Sequence, residues 1–129
     1  MQIKSPLWLS KLFLLLLGTT ILLNACKPQN AAPSPLSADE IPNAMQKAFA
    51  KSKPETKQLV DKMLMALQAK DYPGAYQIAQ NISQDPGLSK EQLLINARAM
   101  LGINELLKNA SAGGDESASA FINFQKHNR

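Results

Sequence analysis

Two helices joined by a single corner are predicted by residues 52–83, which run SKPETKQLVDKMLMALQAKDYPGAYQIAQNIS. The first helix covers residues 52–69, and one of its faces carries Leu59, Val60, Met63, Leu64 and Leu67 at helical spacing. The corner follows at residues 71–74, because Pro73 and Gly74 interrupt a helix. The second helix ends near Ser83 and carries a narrow stripe of Ala75, Ile78, Ala79 and Ile82. These small side chains predict a closely packed helical hairpin.

Capping residues indicate where the two helices begin. Ser52 and Glu55 have the spacing of a capping box, and Pro54 suits the first turn, where its missing N–H costs no hydrogen bond. Asp71 is a residue type that accepts hydrogen bonds from the free N–H groups of a first turn. We therefore expect the first helix to start at Ser52 and the second to be capped by Asp71.

One helix precedes this hairpin and another follows it. The preceding helix covers about residues 40–51, with Asp39 as its predicted cap and an apolar face of Ile41, Ala44, Met45, Ala48 and Phe49. The following helix starts after Ser89 and Gln92, a second capping box, and reaches about Asn109. Its apolar residues cover more than one face: Leu93, Leu94, Ala97, Met100, Leu101, Ile103, Leu106 and Leu107. We therefore expect it to be central or to contact two neighbours.

The remaining C-terminal residues are predicted to be a flexible break over 110–114 and a short fifth helix over about 115–127 that either docks or stays loose. Asp115 is its expected cap. No segment alternates apolar and polar residues between turn signals, so we predict an all-α fold, a small bundle of four helices with this optional fifth. The predicted core is Phe49, Leu59, Met63, Leu64, Leu67, Ile78, Ile82, Leu93, Ala97, Met100, Leu101 and Leu107.

The hairpin corner also resembles a known helical repeat. Lys70-Asp71-Tyr72-Pro73-Gly74-Ala75, followed by Ala79 and the turn at Pro86, looks like the centre of a tetratricopeptide repeat over residues 56–88. In that family the tyrosine packs at the corner and the alanine allows the paired helices to cross closely. Because stacked repeats need about three units to bury a core, the resemblance implies a single hairpin supported by flanking helices.

The first 25 residues have the order of an export signal. Lys4 and Lys11 give a basic start, residues 12–23 are mostly apolar, and the small residue Ala25 follows. A twelve-residue helix is about 18 Å long at 1.5 Å per residue, which is less than the ~30 Å hydrocarbon core of a bilayer. We therefore expect a cleaved signal and not a transmembrane helix.

At the cleavage site, Leu23-Asn24-Ala25-Cys26 resembles the lipobox of bacterial lipoproteins. The resemblance implies cleavage between Ala25 and Cys26, a thioether-linked diacylglycerol on Cys26, and in many bacteria an additional N-acyl chain. Two or three acyl chains hold a small domain firmly in a membrane. Lys27, where inner-membrane retention would use aspartate, implies the outer membrane facing the periplasm if the organism has two membranes.

Residues 26–38 are predicted to be the lipidated cysteine followed by a Pro-rich tether. Pro28, Pro33 and Pro35 disfavour a helix, and the segment offers almost nothing apolar to bury. Extended at ~3.1 Å per residue, the tether would reach about 37 Å. The predicted organisation is therefore a signal over 1–25, the tether over 26–38, a helical domain over 39–109 and the C-terminal region over 110–129.

The chemistry-bearing residues do not form a catalytic or metal-ligating set. The chain has one cysteine and one histidine, and the formal net charge of +4 falls to +2 once Lys4 and Lys11 leave with the signal. We therefore expect no enzyme activity, no cofactor beyond the acyl chains, no metal and no nucleic-acid partner. Tyr72 and Tyr76, four residues apart, form the candidate site for a peptide or helix of an envelope protein.

Two functions remain open at this point. The chain is either a lipid-anchored helical protein-interaction or scaffold module, or a small periplasmic lipoprotein that binds a lipid or another hydrophobic ligand. Packing of both tyrosine rings against a neighbouring helix is the alternative to a binding role for Tyr72 and Tyr76.

Overall fold

The computed structural model describes residues 32–128, and these residues form five α-helices and no strand. The helices are α1 (Glu40–Phe49), α2 (Pro54–Gln68), α3 (Tyr72–Ser83), α4 (Lys90–Ala112) and α5 (Glu116–His127). The predicted all-α bundle is confirmed, and the optional fifth helix is present and docked. The break predicted over 110–114 is wrong in part, because α4 continues to Ala112 and only Gly113 and Gly114 form the corner.

Helices that are neighbours in sequence are also neighbours in space. α2 pairs with α3, α3 with α4, and α4 with α5, while α1 contacts both α2 and α4. The expectation that α4 has more than one neighbour is confirmed, since it contacts α1, α3 and α5. α5 also packs against α3. The core consists of buried side chains from all five helices and from the segment before α1: Leu36, Ile41, Met45, Phe49, Val60, Met63, Leu64, Leu67, Ala75, Ala79, Ile82, Ala99, Ile103, Leu107 and Ala118.

Three of the predicted helix starts agree with the observed capping. Asp71 accepts a hydrogen bond from Gly74 N at 3.0 Å, and Asp115 accepts one from Ala118 N at 2.9 Å. At the start of α4 the Ser89 hydroxyl accepts from Gln92 N, and Gln92 Oε1 accepts from Ser89 N at 2.9 Å. Each bond satisfies an N–H group that has no acceptor inside its own helix.

The other two starts differ from the prediction. The capping box of Ser52 and Glu55 is wrong: α2 begins at Pro54 after Lys53, and no side chain caps it. The Ser52 hydroxyl instead accepts a hydrogen bond from Gln92 Nε2 at 2.8 Å. Gln92 thus links the corner between α1 and α2 to the first turn of α4, a tertiary contact that overrides a local motif.

At α1 the capping residue is Ser37, two residues earlier than expected. Asp39 makes no side-chain capping bond. The Glu40 carboxylate instead accepts hydrogen bonds from Ser37 N at 2.9 Å and from the Ser37 hydroxyl at 2.8 Å, and Glu40 N donates to the carbonyl oxygen of Ser37. Ile41 N donates to Ser37 O. The two hydrogen bonds from Ser37 to the Glu40 carboxylate lower the pKa of Glu40, because they favour its charged form. Ser-x-x-Glu at 37–40 is a signal in the sequence that the prediction missed.

Residues 34–37, the N-terminal strap, belong to the domain. Leu36 is only 5% exposed, its N–H donates to Arg98 O at 3.1 Å, and Arg98 Nε donates to Ser34 O at 2.9 Å. The predicted tether over 26–38 is therefore wrong for the strap. A single leucine in a polar segment gives no periodic signal, yet it fills a place on α4 that the rest of the core leaves open.

Gly102 makes this place on α4 available. A Cβ atom at Gly102 would collide with the carbonyl oxygen of Leu36 and lie 3.3 Å from Cδ1 of Ile41. Glycine in the middle of a helix costs roughly 1 kcal/mol relative to alanine. Here it permits both the strap and α1 to approach the α4 backbone.

Among residues 32–128 two polar side chains are buried, and both make hydrogen bonds. Asn96 on α4 donates from Nδ2 to Ala79 O at 2.8 Å and to the Ser83 hydroxyl at 2.7 Å, both on α3. Its Oδ1 has no hydrogen-bond partner among the described residues. Thr56 on α2 donates to Asp85 at 2.8 Å, in the loop between α3 and α4. The pKa of Asp85 is lowered first by the hydrogen bond from a backbone N–H and second by Thr56.

The predicted core is confirmed for six of its residues and wrong for two. Phe49, Met63, Leu64, Leu67, Ile82 and Leu107 are buried. Leu59, Ile78 and Met100 are half-buried against that core, and Ala97 is also half-buried. Leu93 and Leu101 are instead exposed, at 42% and 39%, because α4 turns a different face toward the bundle. The inner face of α4 is Asn96, Ala99, Gly102, Ile103 and Leu107.

Candidate functional site

The two predicted site residues occupy the first turns of α3 and are both half-buried. The Tyr76 ring packs edge-to-face on Phe121 of α5, with centroids 5.7 Å apart and planes at 67°. Such an aromatic pair contributes about 0.5–1.5 kcal/mol beyond the area it buries. For Tyr76, packing against a neighbouring helix, the alternative to a binding role, is therefore present in the structure.

Tyr76 also forms part of two surface grooves. The α5 groove has a volume of about 260 Å³ and is lined by Tyr76, Gln77, Gln80, Phe121, Phe124, Gln125 and Asn128. The α4 groove has a volume of about 320 Å³ and is lined by Pro33, Tyr76, Ala97, Met100, Leu101 and Asn104. Tyr72 lines neither groove. The structure thus brings Tyr76 to a candidate surface and does not bring Tyr72 to it.

The α4 groove is the more apolar of the two. Its floor is the outer face of α4 at Ala97 and Leu101, and Tyr76 of α3 and Pro33, just before the strap, also line it. No charged residue is among its lining residues. A surface of this kind favours an apolar side chain over a charged ligand.

One turn before the groove, the same helix carries an apolar projection. Leu93 and Leu94, the α4 ridge, are 42% and 50% exposed. Leu93, Ala97 and Leu101 are spaced by four residues, so ridge and groove lie along one face of α4. Single exposed apolar residues are ordinary on protein surfaces, whereas a contiguous set is typical of interaction sites.

The sequence contained the residues of this surface but not the choice of face. Four of its α4 members were predicted to be core residues, because α4 is apolar around most of its circumference: Leu93, Ala97, Met100 and Leu101. The inner face is marked by small or polar residues, Asn96, Ala99 and Gly102, which a size-based reading ranks below leucine. Their pattern is the one signal that could have indicated where a backbone approaches closely.

The side chains of residues 32–128 form no metal-binding group. Within this range no three side chains among His, Cys, Asp and Glu are placed to hold a metal ion. His127 lies at the end of α5, exposed, with Nδ1 2.7 Å from the carbonyl oxygen of Asn123. The lowered pKa values of Glu40 and Asp85 arise from hydrogen bonds that stabilise turns.

The predicted lipidation and cleavage site, Ala25 and Cys26, lies outside the described residues. Among the helices that are described, none combines the length and the apolar composition needed to cross a bilayer. Comparison of the chain with protein-family models, with curated proteins and with solved structures found no match.

Proposed function

We propose that this chain is a lipid-anchored cell-envelope protein that acts as a small helical protein-interaction or scaffold module. The anchor is supported by the sequence Leu23-Asn24-Ala25-Cys26 directly after an apolar export segment, and by the absence of any other cysteine in the chain. Two or three acyl chains would make attachment to the membrane essentially permanent.

The interaction role is supported by the α4 ridge and the α4 groove. Together they form a contiguous apolar surface that the five helices leave uncovered, although the bundle has its own filled core. The spacing of Leu93, Ala97 and Leu101 suits the apolar face of a partner helix, which would place its side chains between Pro33 and Tyr76.

The anchor is tested by intact mass and membrane partition of the wild type beside Cys26→Ala. We expect a mass increase of diacylglycerol size in the wild type and its loss in the variant, together with release from the membrane fraction. An unmodified Cys26 in the wild type would remove the lipoprotein part of the proposal. It would leave an exported or signal-anchored helical protein.

The interaction surface is tested by crosslinking in native envelopes. Leu94→Lys should abolish the crosslinked product, because it places a charge on the α4 ridge at a position that contributes little to the core. Met65→Lys on α2 is the matched control, since Met65 is 67% exposed and lies outside both grooves. Tyr76→Ala should also reduce the product, and it should lower the melting temperature through the loss of the Phe121 contact. Equal products from all four chains would refute the surface.

A lipoprotein that carries a hydrophobic ligand remains the alternative. Its ligand would occupy the α4 groove of about 320 Å³, which is at the lower end of the size of small-molecule pockets. Native mass spectrometry separates the two functions. A carrier should retain a co-purifying ligand that Leu101→Lys displaces, and an interaction module, as monomer or oligomer, should show no added ligand mass.

A further inference from the structure

The α4 ridge, which projects into solvent, and the α4 groove lie on the same helix. The ridge is three to four residues before Ala97, and the α4 residues of the groove run from Ala97 to Asn104. At 3.6 residues per turn, Leu93, Ala97 and Leu101 fall within an arc of about 80°. A projection and a depression on one face, at similar distances on either side of a point near Ala97, form a self-complementary surface.

From this arrangement we propose that the partner is a second copy of the same chain, with the two α4 helices antiparallel across a two-fold axis near Ala97. Such an axis places the residue n positions after Ala97 opposite the residue n positions before it. The ridge of each copy then enters the groove of the other, so the dimer contains two equivalent contacts between a ridge and a groove. This inference rests on the proposed function, in which the surface is an interaction site.

The smallest side chain of the face lies at the predicted crossing point. Ala97 lets two helices approach to the short end of the usual 8–10 Å between axes. With Cα atoms on a radius of about 2.3 Å, the two Ala97 Cα atoms would be roughly 3.5–5.5 Å apart. Leu93 of one copy would lie beside Leu101 of the other, as side chains do in antiparallel helix pairs.

Charges at the edge of the face favour the antiparallel arrangement. Lys90 lies seven residues before Ala97 and Glu105 lies eight residues after it, and both are exposed. The two-fold axis brings each Lys90 to Glu105 of the other copy, which gives two attractive pairs. A parallel pair of helices would instead place Lys90 near Lys90 and Glu105 near Glu105. Rim charges of this kind contribute to orientation and specificity more than to affinity.

A disulfide formed across the predicted axis tests the geometry. The full chain carries one cysteine, Cys26, so Ala97→Cys adds a single new thiol. Facing Cα atoms at the expected separation fall within or near the 4.4–6.8 Å range that a disulfide spans. We expect mild oxidation of the membrane-bound protein to give a covalent dimer with Ala97→Cys, and only background with Met65→Cys, which is exposed on α2.

The unsubstituted chain in the same experiment separates the two proposals. If Cys26 carries a thioether-linked lipid, the wild type has no free thiol and forms no disulfide dimer. A disulfide dimer of the wild type through Cys26 would refute the anchor. The helix pairing would then be decided by whether Ala97→Cys forms more dimer than Met65→Cys. If Ala97→Cys gives no more dimer than Met65→Cys, the pairing of α4 with α4 is wrong; another protein crosslinked to the ridge would then support the interaction module without self-association.

Charge reversal tests orientation without adding a thiol. Lys90→Glu or Glu105→Lys alone turns both attractive pairs into repulsive ones, and we expect the dimer dissociation constant measured by sedimentation in detergent to rise roughly tenfold. Mixing the two variants restores both pairs in the heterodimer, which should recover near wild-type affinity. An unchanged dissociation constant in both single variants, or no recovery in the mixture, would overturn the antiparallel arrangement.

Discussion

The two faces of α4 show that side-chain size does not decide which residues of an apolar helix are buried. The inner face carries Ala99 and Gly102 and is buried, whereas Leu93, Leu94 and Leu101 on the outer face remain 39–50% exposed. The inner face admits the strap and α1 close to its backbone, and large side chains would exclude both. The leucines lie on the outer face because their large side chains would keep the strap and α1 away from the backbone of α4.

Among the substitutions that test this difference between the two faces, Asn96→Asp is expected to lower the free energy of unfolding most. The substitution replaces the donating amide with oxygens that face the carbonyl of Ala79 inside the core. We expect a loss of about 3 kcal/mol in unfolding free energy near neutral pH, since an unpaired charge would be buried. Burial raises the pKa of the new carboxyl group, so the deficit should be small in acid and grow as the pH rises through that pKa.

Chemical denaturation at several pH values measures this effect. Asn104→Asp is the matched control, because residue 104 is half-buried on the outer side of the same helix and lines the α4 groove. It should show little dependence on pH. A pH-independent loss in Asn96→Asp would mean that the charge has reached solvent and that the inner face is less closed than described.

Gly102→Val should have the second-largest effect on the free energy of unfolding. Its Cβ would collide with the backbone of Leu36, so either the strap detaches or α4 shifts. We expect a loss of about 2–3 kcal/mol, which is the order of one buried leucine with its hydrogen bond. The melting temperature measures it, and Leu36→Ala combined with Gly102→Val should cost less than the sum of the two single changes.

Leu101→Ala, at the adjacent position, should lower the unfolding free energy of the monomer by about 1 kcal/mol or less, measured at a protein concentration below the dissociation constant of the proposed dimer. Removing most of a large side chain here costs less than adding a small one at Gly102, because much of Leu101 already faces water. The same denaturation experiment compares the two variants directly. A loss of 3 kcal/mol or more would show that the outer face is covered in the folded protein.

Arg98→Ala should have the smallest effect, about 0.5 kcal/mol. Its side chain donates to Ser34 O at the border between the two faces, where it is partly exposed to water. The change should appear locally, as faster hydrogen exchange of the Leu36 amide, which donates to the backbone carbonyl of Arg98. Unaltered exchange at Leu36 would show that the strap is held without the Arg98 side chain, by the buried side chain of Leu36 and its backbone hydrogen bond.

Much of the fold could be predicted from local signals. The caps at Asp71, Ser89 and Asp115 act within four residues, and the apolar stripe of α2 has the helical period, so the helices and corners follow from the sequence. The register of α4 does not follow, since its outward face is as apolar as its inward face. Its orientation depends on Leu36, a residue 66 positions before Gly102 in the chain, and no periodicity carries that contact.

The candidate site could be predicted only in part, for a related reason. Two tyrosines four residues apart indicate an aromatic patch, but the sequence does not say which ring meets α5 and which meets a groove. Tyr76 does both because Phe121 of the docked fifth helix lies beside it, and Tyr72 lines neither groove. Leu93 and Leu101 were predicted to be core residues, and only the close approach of α1 and the strap to the opposite side of α4 reveals them as surface residues.

The strap also determines where a protease could free the domain without damaging it. A cut before Ser34 would leave Leu36 in place against Gly102 and release an intact bundle. A cut between Leu36 and α1 would remove Leu36 from the domain and expose the α4 backbone beside Ile41 to water. The domain that must stay intact therefore begins at the strap, several residues before the first helix begins.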